Sequence, residues 1–177
     1  VKTSAQWWEE VRDSGPKLSQ WLQKQYYGEV MAADRIIRYA IPEAKTLKEM
    51  GLLRKIAQQE LDHAMWVGEL LVSRGISLAF VAKETPYWDA TLPQIDDLAS
   101  ATAVATLAEK MRLERIRIIA TDPKAPEDIR EVFLKILPQE EFHEQAFGSL
   151  TTEDALSSAI VNHELGKQQI GLVTIED

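Results

Sequence analysis

Cysteine is absent from the 177-residue chain. Its absence excludes disulfides, thiolate nucleophiles, cysteine-ligated zinc sites and iron–sulfur or rubredoxin-like centres, so any metal would be held by oxygen and nitrogen. Cations are in deficit too: 20 Lys and Arg against 28 Asp and Glu give a formal net charge of −8. No stretch concentrates the basic residues that a phosphate backbone needs, so no nucleic-acid partner is expected. No apolar run approaches the roughly 18 residues of a membrane span, and no leader-like segment opens the chain, so a soluble cytoplasmic protein with no membrane partner is expected. Glycine and proline are few, at 8 and 7, and the alternation of apolar and polar residues that marks strands is nearly missing. What remains is helix. With 45% hydrophobic residues, the chain can bury one core and is short for two, so residues 1–177 read as a single domain.

Proline, glycine and capping residues divide the text into segments. A short amphipathic piece follows Ser4, read as an N-cap, carries Trp7 and Trp8, and stops at Ser14-Gly15. Pro16 suits the first turn of a long helix through Leu22, Tyr26, Ala33, Ile36 and Ala40. Thr46 with Glu49 has the capping-box form and opens a helix that stops at Gly75. Residues 75–92 show no sustained period and read as a crossover that travels the length of a bundle. A third long helix runs from about 95 to 120. A fourth runs from about 126 to 150, where Pro138 is expected to force a kink or a bulge. A last segment over 153–169 is capped by Thr151 or Thr152.

Sliding the sequence against itself by 80 positions aligns its polar residues without gaps. Glu29 falls on Glu109, Gln59-Glu60 on Gln139-Glu140, and His63 on His143. In each half the first glutamate precedes the second by 31 positions. A lone Glu-x-x-His is a weak motif that a solvated helix face explains well. Two copies, each with a partner glutamate at matched spacing, make a strong one. Two antiparallel helix pairs would bring these six residues together twice over.

The glutamates lie on apolar faces: Glu29 in phase with Tyr26, Ala33 and Ile36, Glu109 with Ala105, Leu113 and Ile116, Glu140 with Phe133, Ile136 and Phe147. Four buried carboxylates would carry a charge of about −4, untenable in a low-dielectric core. Two divalent cations would neutralise it and leave His63 and His143 as neutral ligands. The donor set is hard and oxygen-rich, which suits iron or manganese.

On these residues the chain resembles the ferritin-like di-metal carboxylate superfamily, whose pattern is one Glu from each of two helices and Glu-x-x-His from each of two others. The matching positions are Glu29, Glu60, His63, Glu109, Glu140 and His143, and the resemblance covers about residues 17–150. It implies an all-α, antiparallel four-helix bundle with one long crossover, here with short N- and C-terminal helices added. It also implies a site in which Glu60 and Glu140 bridge or chelate two ions, iron, manganese or a mixed Mn/Fe pair, Glu29 and Glu109 cap them, and each histidine ligates one. Within the superfamily the chain looks most like rubrerythrins, bacterioferritins and small di-iron oxygenases. It departs from rubrerythrins in lacking cysteine and in carrying Arg112 one turn after Glu109, where they have a further glutamate. Leu61 stands where bacterioferritins have their haem-ligating methionine, so no haem is expected.

The activity the resemblance implies is an oxidoreductase that activates O₂ or H₂O₂, with an unspecified electron donor and a small apolar substrate. The alternatives are ferroxidation with iron storage and a structural metal site without catalysis. Gln59 and Gln139 are candidates for orienting the histidines of a neighbouring helix, and Glu144, in phase with Glu140, for a supporting carboxylate. Tyr26, one turn before Glu29, is a candidate for a redox or hydrogen-bonding role. His163 has no counterpart in the repeat and reads as exposed. The five tryptophans read as packing for the N-terminal helix and crossover, or as contacts in a homodimer.

Overall fold

The structure is a computed structural model and describes residues 2–79 and 85–172. The described residues are helical throughout, in the order α1 (Ser4–Arg12), α2 (Gly15–Arg35), α3 (Leu47–Ser73), α4 (Pro86–Thr91), α5 (Leu98–Thr121), α6 (Glu127–Leu150) and α7 (Glu153–Gln169). Helix α2 runs on into a π turn, Ile36–Ala40, and a 3₁₀ turn, Ile41–Glu43, ahead of α3.

Most of the helix starts are written in capping residues. Thr46 accepts a hydrogen bond from the Glu49 backbone, and the Glu49 carboxylate accepts from the Thr46 N–H, which satisfies two of the first orphan donors of α3. For α1 the cap is Thr3 and not Ser4, because Thr3 has Gln6 three positions on to complete the box, and Ser4 becomes the buried first residue. Thr152, of the two candidate threonines, caps α7. Helix α5 starts later than its apolar pattern suggests: Pro93 sits in a 3₁₀ turn, and Asp97 and Ser100 cap each other at the true start. Pro138 produces no bulge, since α6 stays α-helical from Glu127 to Leu150. Only one bond is lost there, and Leu134, whose carbonyl loses its partner, lies on an exposed face where water can replace it.

The pairing of the long helices follows from what packs on what. One apolar cluster joins Leu18, Trp21 and Leu22 of α2 to Val67 and Leu71 of α3, Ile116 and Ile119 of α5, and Ile129 and Phe133 of α6. A second joins Ile36 and Ala40 to Leu53 and Ile56, Ala101, and Ala146 and Phe147. The start of α2 thus meets the end of α3, and the end of α5 meets the start of α6, so each pair is antiparallel. The C-terminal half of α3 lies in the first cluster and the start of α5 in the second, so their connection spans the length of the bundle. That crossover includes residues 80–84, outside the described residues, and helix α4. At the first end α1 is tied down by Trp8, whose Nε1–H donates to Asp122 at 2.8 Å, and by Arg12, paired with the same carboxylate at 2.9 Å.

The expectation that His163 is exposed is corrected: it is buried, at 7% exposure. Its Nδ1 and the Tyr87 hydroxyl share a hydrogen bond of 2.7 Å. Burial, helped by Lys167, lowers its pKa and favours the neutral ring, while burial raises that of Tyr87 and keeps the phenol protonated. The partner comes from the crossover, which carries no period to announce it. Beside this pair Gly166 packs directly on Tyr87: a Cβ there would meet the ring at 2.8 Å and the backbone at 3.2 Å. Gly166→Ala is therefore expected to destabilise the protein by about 1–3 kcal/mol in denaturant unfolding, despite the better helix propensity of alanine.

Candidate metal centre

Between the two apolar clusters lies one polar layer. Glu29, Glu60, His63, Glu140 and His143 are each 0% exposed, and Glu109 is 5% exposed. They converge from four helices: Glu29 on α2, Glu60 and His63 on α3, Glu109 on α5, Glu140 and His143 on α6. Because Glu60 and His63 are three apart on one helix, both point inward, and their carboxylate oxygen and Nδ1 lie 3.4 Å apart. The equivalent pair, Glu140 and His143, is at 3.0 Å.

The layer resolves into two overlapping groups. Glu29, Glu60, His63 and Glu140 each present a ligand atom within 4.8 Å of the others, and so do Glu60, Glu109, Glu140 and His143. Bonds of about 2.1 Å to a hard divalent ion put opposite ligands about 4 Å apart, so either group has the right size. Glu60 and Glu140 belong to both. Three buried atoms facing this layer, Glu60 Oε2, His63 Nδ1 and Glu109 Oε2, have no hydrogen-bond partner. Buried polar atoms without a partner are costly in a core, and a metal ion would take these three as ligands.

The glutamines cross over between helices. His63 Nε2–H donates to Gln139 Oε1 at 2.8 Å, and His143 Nε2–H donates to Gln59 Oε1 at 3.0 Å. An amide oxygen only accepts, so both Nε2 atoms carry hydrogen and both Nδ1 atoms are turned toward the carboxylates. Of the other sequence candidates, Glu144 falls in neither group; it is partly exposed and lies 4.0 Å from Lys110. Tyr26 packs its ring against Gly68, also outside both groups.

Arg112 is the residue the sequence reading missed as part of the site. Its guanidinium reaches into the layer, 2.7 Å from Glu29, 3.0 Å from Glu140, 3.3 Å from Glu60 and 3.5 Å from Glu109. The signal was available: position 112 shares the inward face with 109, 113 and 116 and holds a charged residue on it. Gln25 was missed as well; one turn before Glu29, its Nε2 donates to that carboxylate at 2.6 Å.

Charge is distributed accordingly. Burial pushes the Glu60 and Glu140 carboxyls up, but Arg112 and the two imidazoles outweigh it and hold both well below the usual range. Burial and repulsion from Glu140 push Glu109 well above it. Burial would lower His63, but Glu140, Glu29 and Glu60 push it up to about 12, and Glu140 and Glu60 push His143 up as well. With no metal bound, Arg112 offsets the carboxylate charge, and the raised pKa values of Glu109, His63 and His143 favour their protonated forms. The residues present thus form a buried Glu/His cluster able to hold a metal ion. No protein-family model, curated protein or solved structure matches this chain.

Proposed function

We propose that the polar layer is a two-metal carboxylate centre, iron or mixed manganese/iron, and that the protein is an oxidoreductase of the ferritin-like di-metal type that activates O₂ or H₂O₂. The observation that carries this reading is that two four-residue groups of metal-ligand type share Glu60 and Glu140. Shared carboxylates are what holds two ions close enough to act together. When bound, an iron pair supplies two electrons, one from each ion, for reduction of O₂ or peroxide.

The chain's own residues prepare the rest. Gln59 and Gln139 fix the tautomer and direction of the two histidines. Gln25 orients Glu29. The two apolar clusters seal the layer at both ends, so reactive oxygen species would be kept from bulk water. A narrow cavity of about 50 Å³, lined by Ala32, Ala105, Ala108 and Phe147 among others, reaches Glu60 and Glu109. Its size and apolar walls suit a diatomic molecule, which favours oxygen chemistry over a purely structural site.

Two measurements test the reading. Anaerobic protein given two equivalents of Fe(II) and then O₂ is expected to consume both and to show a transient absorption band; absence of iron uptake rejects the proposal. Because the neighbouring carboxylates raise the pKa of His63 and His143, and burial with Glu140 raises that of Glu109, loading is expected to displace protons. Calorimetry with Mn(II) in buffers of different ionisation enthalpy is expected to show net proton release and affinity that rises with pH.

A further inference from the structure

A second, larger cavity of about 170 Å³ lies on the other side of Arg112 and Gln25, lined by Trp7, Trp21, Trp88, Met31, Phe133 and Ile119 among others. Its charge is opposite to that of the protein as a whole. Among the described residues, four cationic side chains, Lys24, Arg35, Arg112 and Arg115, line it and no Asp or Glu does, in a chain of net charge −8. Arg112 is taken up by the carboxylates of the metal layer, but the other two arginines are not so engaged. Arg35 lies over the Trp88 ring at 3.7 Å, with no ion pair or hydrogen bond among the described residues. Arg115 lies over Trp7 at 4.4 Å, and its buried Nε has no hydrogen-bond partner. Burial, helped by Arg112 and opposed by Glu60, Glu109 and Asp34, lowers the pKa of Arg35 to about 10, and burial lowers that of Arg115 against the opposing charge of Glu114.

We propose that this cavity binds a small organic carboxylate with an apolar body about the size of one six-membered ring, its carboxylate received by Arg115. The size follows from volume: an apolar cavity of about 150 Å³ accommodates benzene. The planar guanidinium matches a carboxylate in a way a lysine would not, and the indole walls provide ring contacts. The lining includes Gln25 and Arg112, which both hold Glu29, so a molecule bound here sits one side chain from the metal layer. Calling it the substrate rests on the proposed function; its binding does not.

The test uses metal-free full-length protein and benzoate, with benzamide as the neutral isostere and inorganic phosphate as the anion without an apolar body. Binding is read by quenching of tryptophan fluorescence, since three tryptophans line the cavity, and by calorimetry. Benzoate is expected to saturate the signal, with benzamide and phosphate at least about tenfold weaker. Arg115→Met is expected to weaken benzoate about tenfold or more and leave benzamide unchanged. Met31→Trp, which fills the cavity and keeps every charge, is expected to abolish binding if the arginine variant fails to fold. Equal binding of benzamide, equal binding of phosphate, or no saturable binding of benzoate would each overturn the proposal. Because no metal is present, none of these outcomes depends on the oxidase reading, and loss of iron uptake would leave a positive result intact.

Discussion

Glu60→Ala is expected to abolish binding of both metal ions, whereas His63→Ala leaves one in place. The asymmetry comes from membership. Glu60 contributes to both four-residue groups, and His63 to one. Removing His63 leaves Glu60, Glu109, Glu140 and His143 complete; removing Glu60 leaves three ligands for each ion and no longer balances the charge between them. Glu60→Gln separates charge from shape, because it keeps the side chain's volume and one carbonyl oxygen yet cannot bridge as an anion. Metal per chain, measured by elemental analysis after anaerobic loading with Fe(II) or Mn(II) and desalting, is expected near two for the parent, one for His63→Ala and well below one for either Glu60 variant. Helicity by circular dichroism separates a lost site from a lost fold. Equal metal in Glu60→Ala and the parent rejects the two-ion arrangement.

What could be read from the sequence, and what could not, divides along the distance over which the signal acts. Glu29, Glu60, His63, Glu109, Glu140 and His143 were all visible because helical phase fixes the face of each and the 80-residue repeat fixes their pairing. Gln59 and Gln139 were visible as residues beside the motif, and the structure shows each reaching the histidine of the opposite helix. The caps at Thr46 and Thr152 are local hydrogen-bonding patterns and were legible for that reason. Other features depend on contacts between distant segments. His163 is buried because Tyr87, 76 positions away, offers it a hydroxyl, and nothing in the local text marks that pairing. The π turn at Ile36–Ala40 keeps both Ile36 and Ala40 in the core at the end of α2, a gain that a regular 3.6-residue period does not foretell. Arg112 was noticed as a departure from a family pattern; its position among the carboxylates is a matter of side-chain reach.

That position leads to the second large effect. Arg112→Met is expected to destabilise the metal-free protein by about 3 kcal/mol or more, roughly 6–12 °C in Tm for a chain of this size, while binding metal more tightly than the parent. The Arg112 side chain is 19% exposed and its guanidinium lies within 3.5 Å of four buried glutamates, so its removal leaves negative charge in the core without this counterion. Those groups can respond only by taking up protons. Arg112 holds Glu60 and Glu140 below the usual carboxylate range, so the stability it supports is present at neutral pH and is lost as pH falls through and below that range. The penalty of Arg112→Met is accordingly largest near neutrality and shrinks in acid. Metal reverses the sign. Two divalent ions would neutralise the same carboxylates, and a resident cation among them is then a competitor that loading must displace. The thermal shift on adding Mn(II) is therefore expected to be larger in the variant, and the concentration needed for half-saturation lower. A variant as stable as the parent without metal, or one that binds Mn(II) more weakly, would show that Arg112 does not stand in for the ions. Its role is set by a balance of charge: carboxylates gathered in one buried layer require cations, and in the metal-free chain Arg112, within 3.5 Å of all four, is the one at hand.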